Sequence, residues 1–278
     1  MCLRIGNLKA RRLYDDDPLR PAEREELEDD LISFSDRELD LPGNLRGLEV
    51  LYAGGASLLW LEGLSQRIGE EGNLTALDLD AERVREGRES LADAALAAPV
   101  RLVEGDVFEP PFGSQTFDLV YSAGFFHELD VRERGAEDAL EALVSVVRPG
   151  GRVATSDFVD CVPAAQLEDE ELQAELAREV SGAELYGIGS PGRLVGLHEA
   201  LLDNVRWRVS PPHEVRHLER LVLAEGEPEG LPLLPAGPRR RLRERREAYL
   251  DRVRRQGYTR PATLYVEGSV PVENHANG

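Results

Sequence analysis

The fold is decided by the stretch Leu48-Glu49-Val50-Leu51-Tyr52-Ala53-Gly54-Gly55-Ala56-Ser57. A run of strand-forming apolar residues meets two consecutive glycines there, and the apolar spacing from Leu58 to Leu64 is that of a helix face. A strand, a tight turn and a helix make the first half of a βαβ unit. Because glycine has no Cβ, the backbone can bend sharply and a ligand can touch it. In open α/β sheets the ligand crevice lies at the carboxyl ends of strands, so we expect a binding site at this turn.

Strand and helix patterns alternate along the rest of the chain. Further strands are predicted over residues 73–79, 100–106, 117–122, 152–156, 205–209 and 262–266. Helices are predicted over residues 21–34, 80–96, 135–147, 167–180, 190–202 and 239–255, and a loop over 225–238. Asp80 is expected to cap the second of these helices. This alternation predicts a doubly wound α/β protein with a mostly parallel sheet.

Composition limits the classes of partner. The chain has 278 residues, 41% of them hydrophobic, and a net charge of −20. Such a charge argues against nucleic acid or an anionic membrane surface as a general partner. The sequence contains no apolar run long enough for a transmembrane helix, and Met1 leads into charged residues rather than an apolar signal core. Cys2 and Cys161 are too few for a disulfide framework, so we expect a cytoplasmic protein.

One basic stretch departs from the acidic average. Arginines crowd the predicted helix from Arg239 to Arg255, which could in principle hold an anionic substrate or partner. The interpretation that we favour is a solvated helix face whose charges are balanced within the helix by Glu244, Glu247 and Asp251.

Polar or glycine landmarks occur at the ends of four successive strands. They are the Gly54-Gly55 turn, Asp78, the pair Gly105-Asp106, and Ser122. An acid about 20 residues beyond a glycine turn suits a contact with ribose hydroxyls, and an Asp at the third strand end can accept from an adenine amino group. Taken singly, each Asp could be a helix cap or turn former, and the Asp78 carboxylate is expected to be solvated. Their joint order indicates an adenosine-binding site.

These landmarks resemble the motifs of the Rossmann-like, class I S-adenosylmethionine-dependent methyltransferases. The matching motifs are Val50–Ser57, Leu77–Glu82, Gly105–Val107, Phe117–Ser122 and Val147–Arg152. The resemblance implies a seven-stranded, mostly parallel sheet with an antiparallel last strand and helical cap segments. It divides the chain into an N-terminal helical cap segment, 1–46, and a methyltransferase-like domain, 47–278. Helical insertions near 163–200 and 214–257, together with the first helix, are expected to roof the pocket.

The resemblance also implies a set of residues for S-adenosylmethionine: Ala53, Gly54, Gly55, Ala56, Asp78, Leu79, Asp106, Val107 and Ser122. Gly54 and Ala56 would line the methionine part, and Asp78 would bind the ribose. Leu79, Asp106 and Val107 would surround the adenine.

The glycine motif departs from the family pattern at three positions. The family has an acid where this chain has Tyr52, and glycines where it has Ala56 and Leu58. Another carboxylate is expected to replace the missing acid, and the candidates are Asp15–Asp17 if the N-terminal segment folds over the site.

The predicted activity is methyl transfer to an oxygen, nitrogen or carbon atom of a small-molecule acceptor. The enzyme's main task is to hold the acceptor in line with the methyl group and away from water. His127 follows the fourth strand and is the candidate general base, although it could equally be a packing residue. No metal is expected, because His213 and His217 lack a third ligand. The oligomeric state is left open.

Two alternatives belong to other classes. A nicotinamide-dinucleotide enzyme would require a third glycine near Leu59, which the chain does not have. A catalytically silent relative that binds a ligand or a partner is favoured by the departures at Tyr52 and Leu58.

Overall fold

The computed structural model describes residues 18–272. Its seven strands are β1 (Glu49–Ala53), β2 (Asn73–Asp78), β3 (Val100–Glu104), β4 (Phe117–Ala123), β5 (Val147–Val159), β6 (Asp203–Ser210) and β7 (Ala262–Ser269). Its eight α-helices are α1 (Pro21–Leu39), α2 (Leu58–Ile68), α3 (Ala81–Leu91), α4 (Ala136–Ser145), α5 (Ala165–Ser181), α6 (Pro191–Glu199), α7 (Leu218–Ala224) and α8 (Ala236–Gln256). Short 3₁₀ helices cover Phe126–Glu128 and Leu231–Leu233. These counts refer to the described residues.

The strands form one sheet in the order β3-β2-β1-β4-β5-β7-β6. The pairs among β1 to β5 are parallel, whereas β7 runs antiparallel to both β5 and β6. The predicted seven-stranded, mostly parallel sheet with an antiparallel last strand is confirmed. Because β7 is reversed, its first residues lie beside the last residues of β5, with Thr263 opposite Phe158.

Helices cover both faces of the sheet, as its two-residue side-chain period requires. Val50 and Tyr52 of β1 pack on one face with α2, α3 and the end of α1. Leu51 and Ala53, the alternate residues of the same strand, pack on the other face with α4 and α6. The glycine turn after β1 is therefore held between two packed layers at the carboxyl edge of the sheet.

The helices after β5 separate into two groups. Helix α6 packs against β6, β7 and the large core cluster, so it is a layer helix rather than a roof. Helices α5, α7 and α8 enclose an apolar cluster of their own, built around Leu172, Val222 and Tyr249. Helix α7 and the 3₁₀ turn after it lie where the sequence predicted mainly loop, because tertiary packing of Leu218 and Val222 stabilises a short helix that periodicity alone does not reveal.

Helix α1 is longer than predicted. It continues beyond residue 34 to Leu39, and the Ser35 hydroxyl donates to the Ile32 carbonyl within the helix instead of starting a turn. Leu39 is fully buried in the cluster beside α2. Burial of this last turn overrides the turn preference of Ser35 and Asp36.

The arginines of α8 are balanced by a neighbouring helix more than by their own. Arg241 pairs with Glu175 at 3.1 Å and with Glu179 at 2.6 Å, both on α5, and Arg245 also pairs with Glu175. Within α8, Arg254 pairs with Asp251 at 2.5 Å. The predicted partners of the basic face are thus only partly right, because the carboxylates of α5 lie across the helix interface.

Candidate active site

A cavity of about 370 Å³ opens at the carboxyl edge of the sheet. It extends from the end of β2 to the start of β7, which are four strand spacings apart, or about 19 Å. We call its first part the glycine-turn end; it is lined by Gly54, Gly55, Ala56, Asp78, Asp80, Glu82, Arg83 and Glu86. We call its other part the β5–β7 end; it is lined by Phe34, Ser156, Asp157, Phe158, Gln166, Arg260 and Thr263.

The glycine turn has the geometry that only glycine tolerates. Gly54 has a φ of +81°, and a Cβ there would overlap the ring of Phe125. The N–H groups of Gly54 and Gly55 donate to the Leu77 carbonyl at 2.9 and 3.2 Å, which ties the turn to the end of β2. The turn therefore lies directly beside Asp78.

Asp78 carries the one unbalanced acceptor of this end that the described residues show. Its Oδ1 accepts from the Asp80 N–H at 2.9 Å, whereas its buried Oδ2 has no hydrogen-bond partner among residues 18–272. The residue is 7% exposed, which corrects the expectation of a solvated carboxylate. Burial raises the pKa of Asp78, and the nearby Asp80 and Glu128 carboxylates add to the effect. A ligand hydroxyl donating to Oδ2 would satisfy it.

Asp80 caps helix α3, as predicted. Its Oδ1 accepts from the N–H groups of Glu82 and Arg83 at 2.9 and 3.2 Å. The cap directs α3 away from β2 and leaves Asp78 at the cavity wall.

The other predicted cofactor residues do not line the cavity. Leu79 is 72% exposed, and Asp106 is exposed beside it, with its Oδ1 accepting from the Phe108 N–H at 2.9 Å. Val107 and Ala53 are buried in the core cluster. Their cofactor contacts stay predictions.

Ser122 has a structural partner instead of a place on the cavity wall. Its hydroxyl is buried and donates to Thr155 Oγ1 at 3.2 Å, and Thr155 Oγ1 lies 3.0 Å from His198 Nε2. His198 Nδ1 lies 2.8 Å from the Leu194 carbonyl. Burial lowers the pKa of His198 to about 4, so the ring is neutral and accepts from Thr155. Any contact of Ser122 with the cofactor would therefore involve its backbone.

Tyr52 fills the position of the missing acid with an aromatic ring. It stacks with Trp60 and Tyr121, with centroids 6.4 and 6.1 Å apart. A Cβ on Gly55 would lie 2.9 Å from the Tyr52 ring, so the second glycine is required by this tyrosine.

A carboxylate does approach the site, from helix α1. Glu38 is fully buried and accepts from the hydroxyls of Ser156 and, at 3.2 Å, Thr263, both of which line the cavity. The predicted candidates Asp15–Asp17 lie outside the described residues. The sequence gave no signal for Glu38, because its partners are more than 100 residues away.

His127 lies behind the cavity wall, in contact with a residue that forms it. Its ring is 3% exposed and is not among the groups lining the cavity. Its Nδ1 lies 2.6 Å from Asp157 Oδ1, and its backbone N–H donates to Asp157 Oδ2 at 3.2 Å. Phe158 N–H adds a third hydrogen bond to this carboxylate, at 2.7 Å. Asp157, rather than His127, faces the ligand space.

Sequence reasoning missed three polar groups on the wall. Glu128 follows His127 and has a buried Oε1 without a hydrogen-bond partner in the described part of the chain. Gln166 begins α5, and Arg260 precedes β7. Only Glu128 lies close in sequence to a predicted motif. No cluster that could hold a metal ion occurs among the described residues.

Comparison with known proteins agrees with this geometry. Residues 50–151 match a family model described as a methyltransferase domain. The ubiquinone/menaquinone biosynthesis C-methyltransferase UbiE of Idiomarina loihiensis is 33% identical over 142 residues, which cover 49% of this chain and 55% of the relative. The chain thus spans about half the length of the curated relatives it matches.

Solved structures share the fold. The YcgJ protein of Bacillus subtilis has a TM-score of 0.57 at 15% identity, covering 86% of this chain and 99% of its own. Geranyl diphosphate methyltransferase in complex with S-adenosylmethionine has a TM-score of 0.52 at 14% identity, covering 86% and 85%.

The sheet order and the cavity at its carboxyl edge define a doubly wound protein of the methyltransferase fold. With the family match, the chain belongs to the Rossmann-like, class I S-adenosylmethionine-dependent methyltransferases.

Proposed function

We propose that this chain binds S-adenosylmethionine in the cavity and transfers its methyl group to a small-molecule acceptor. The observation that carries the proposal is the buried Asp78 Oδ2, which faces the cavity beside the glycine turn and has no hydrogen-bond partner among the described residues. A buried carboxylate oxygen without a donor is costly, and ribose hydroxyls supply donors.

The cavity wall suits a cationic cofactor. S-adenosylmethionine supplies a methyl group on a positively charged sulfonium. Asp78 and Glu128 place carboxylates on the wall, and Glu38 stands behind Ser156 and Thr263. Because both hydroxyls donate to Glu38, their oxygen lone pairs are left for the cavity, and Glu38 thereby takes over the electrostatic role of the acid that Tyr52 replaces.

The roof keeps the methyl group away from water. Leu31 and Phe34 of α1 and Gln166 of α5 close the cavity opposite the sheet. Exclusion of water and alignment of the acceptor are the main contributions that the protein makes to such a displacement.

His127 is proposed to act through Asp157. The acceptor atom is oxygen, nitrogen or carbon, and an acceptor that must lose a proton requires a base. Asp157 reaches the cavity and His127 Nδ1 bonds to it, so the pair can share that proton. His127→Gln should lower turnover about 10²-fold and remove the limb of the pH–rate profile near neutrality. Full turnover in this variant would make His127 a packing residue.

The acceptor is proposed to be a small molecule in the cytoplasm. A cavity of about 370 Å³ admits small ligands. The net charge of −20 opposes nucleic acid, and the arginines of α8 are paired with α5. None of the helices in residues 18–272 is long and apolar enough to cross a membrane.

Calorimetric titration of the full chain with S-adenosylhomocysteine tests the proposal. Asp78→Ala should weaken binding by about 1–3 kcal/mol, or 5- to 150-fold, because ribose donors lose their acceptor. The matched control is Asp80→Asn, two residues away, which removes a charge but keeps a good helix cap. We expect it to bind within about twofold of the wild type.

Two outcomes would contradict the proposal. If wild-type protein shows no binding and no thermal shift at millimolar cofactor, the silent-relative alternative that Tyr52 suggests is favoured. If Asp78→Ala and Asp80→Asn weaken binding equally, Asp78 is not the ribose ligand.

A further inference from the structure

The β5–β7 end of the cavity is chemically distinct from the glycine-turn end. With the cofactor at the glycine turn, as proposed above, this end is the space left for the acceptor, and the inference that follows rests on that proposal. Its walls combine aromatic rings with one arginine and one amide, whereas the glycine-turn end is lined mainly by carboxylates.

Arg260 is held in the cavity wall by two aromatic rings. Its guanidinium carbon lies 4.4 Å from the Phe34 centroid and 5.1 Å from the Phe158 centroid. Phe34 comes from α1 and Phe158 from β5, so the cation is clamped between the roof and the sheet. A guanidinium stacked on rings keeps its charge and presents N–H donors at its edge, in the planar fork that matches a carboxylate.

Gln166 offers an acceptor beside this cation. The residue is 5% exposed, and its Nε2 donates to Glu170 Oε1 at 3.4 Å. That contact fixes the amide, since the reverse orientation would set two oxygens against each other. The Oε1 atom is buried and has no hydrogen-bond partner in the part of the chain described. A ligand N–H or O–H would satisfy it.

The nearby carboxylates do not oppose an anion here. Asp157 accepts three hydrogen bonds, from His127 Nδ1, His127 N–H and Phe158 N–H. Glu38 accepts from Ser156 and Thr263 and lies 3.4 Å from the Arg37 guanidinium. Both negative charges are compensated by donors, so the Arg260 cation decides the local preference.

We propose that the β5–β7 end is the acceptor subsite and that it takes an aromatic or conjugated carboxylic acid carrying a second hydrogen-bond donor. Arg260 binds the carboxylate, Gln166 accepts from the donor, and the rings of Phe34 and Phe158 define the width of the slot. The subsite thus selects a planar anion over a neutral or cationic acceptor of the same size.

The test is titration of the full chain with three probes, with and without saturating S-adenosylhomocysteine. The probes are 3-hydroxybenzoate, benzoate and the neutral isostere 3-hydroxybenzamide. Wild-type protein should bind 3-hydroxybenzoate at least about tenfold more tightly than the amide, because a charge-assisted hydrogen bond is lost in the amide. Benzoate should bind a fewfold more weakly than 3-hydroxybenzoate, because it has no donor for Gln166.

Variants assign the preference to residues. Arg260→Gln should abolish discrimination between 3-hydroxybenzoate and the amide, and Gln166→Leu should abolish the advantage of 3-hydroxybenzoate over benzoate. Arg83→Gln is the matched control, because Arg83 lines the glycine-turn end and its loss should leave the discrimination intact. Arg260→Lys keeps the charge without the fork, so it should retain only part of the preference even if Arg260→Gln does not fold.

Cofactor binding separates the two proposals. Bound S-adenosylhomocysteine with no preference among the probes would overturn the subsite alone. A probe preference that depends on Arg260 without any binding of S-adenosylhomocysteine would uphold the subsite and overturn the proposed function. Equal losses in Arg260→Gln and Arg83→Gln would assign the preference to overall charge and overturn the inference.

Discussion

The two ends of the cavity are built from the chain in different ways. The glycine-turn end uses residues 54–86, which are close in sequence and lie inside the family match. The β5–β7 end brings together Phe34, Gln166 and Arg260, which lie outside that match and are joined only by the roof over the sheet. The comparison suggests that a shared cofactor is bound by a local motif, whereas the acceptor is selected by elements that vary around the common sheet.

The largest expected effect is at the glycine turn. Gly54→Ala should lower the free energy of unfolding by about 3 kcal/mol or more, because a Cβ there both strains the left-handed backbone and overlaps Phe125. Gly43 is the matched control: its φ is +74° but nothing lies within 4 Å of a Cβ, so Gly43→Ala should cost only about 1 kcal/mol. Urea unfolding measures both values. Equal costs would mean that the turn is not sterically constrained, and the contrast between the two ends would weaken.

The second prediction concerns the packing beneath both ends. The pKa of His198 is about 4 in the folded protein and near 6.5 when unfolded. Between these pH values the unfolded chain binds a proton that the folded protein does not, so stability present above pH 6.5 is lost as the pH falls towards 4. The loss should reach about 3 kcal/mol, and His198→Gln should remove that part of the pH dependence. Urea midpoints from pH 7 to pH 4 test this; an unchanged slope would contradict it.

The third prediction separates function from stability at Asp78. Because the folded pKa of Asp78 is raised, the fold favours the protonated acid, and stability is lost as the pH rises through that pKa. Asp78→Asn should therefore raise the urea midpoint of the cofactor-free protein at pH 7 while weakening cofactor binding. Below the unfolded pKa the gain should vanish.

Asp118 provides the contrast for Asp78. It lies at the start of β4, accepts from the Glu49 N–H at 2.9 Å and pairs with Arg148. Asp118→Asn should lower the midpoint and leave cofactor affinity unchanged. If Asp78→Asn also lowers the midpoint of the cofactor-free protein, the Asp78 carboxylate is structural.

The smallest effect is expected at the roof. Arg216 binds Asp30 of α1 through Nε and Nη2, at 2.8 and 2.9 Å, but its side chain is half exposed. Arg216→Gln should cost about 1 kcal/mol or less. Because α1 carries Phe34, we expect weaker binding of 3-hydroxybenzoate with unchanged binding of S-adenosylhomocysteine. If both ligands were affected equally, the two ends would not be independent.

Much of the fold and half of the site could be predicted from the sequence alone. The strand and helix periods, the glycine turn, the Asp80 cap and the position of Asp78 at the end of β2 are confirmed by the structure. These features depend on contacts between residues a few positions apart, or on the two-residue and 3.6-residue periods, so the local sequence contains the required information.

The tertiary structure alone decided the rest. The extension of α1 to Leu39, the pairing of the α8 arginines with α5, and the place of Ser122 in a chain of hydrogen bonds with Thr155 all depend on neighbours from distant elements. Glu38, Gln166 and Arg260 carry no local pattern that marks them as site residues. Their roles arise from packing across the sheet edge, where burial leaves each polar group with only the partners that the fold supplies.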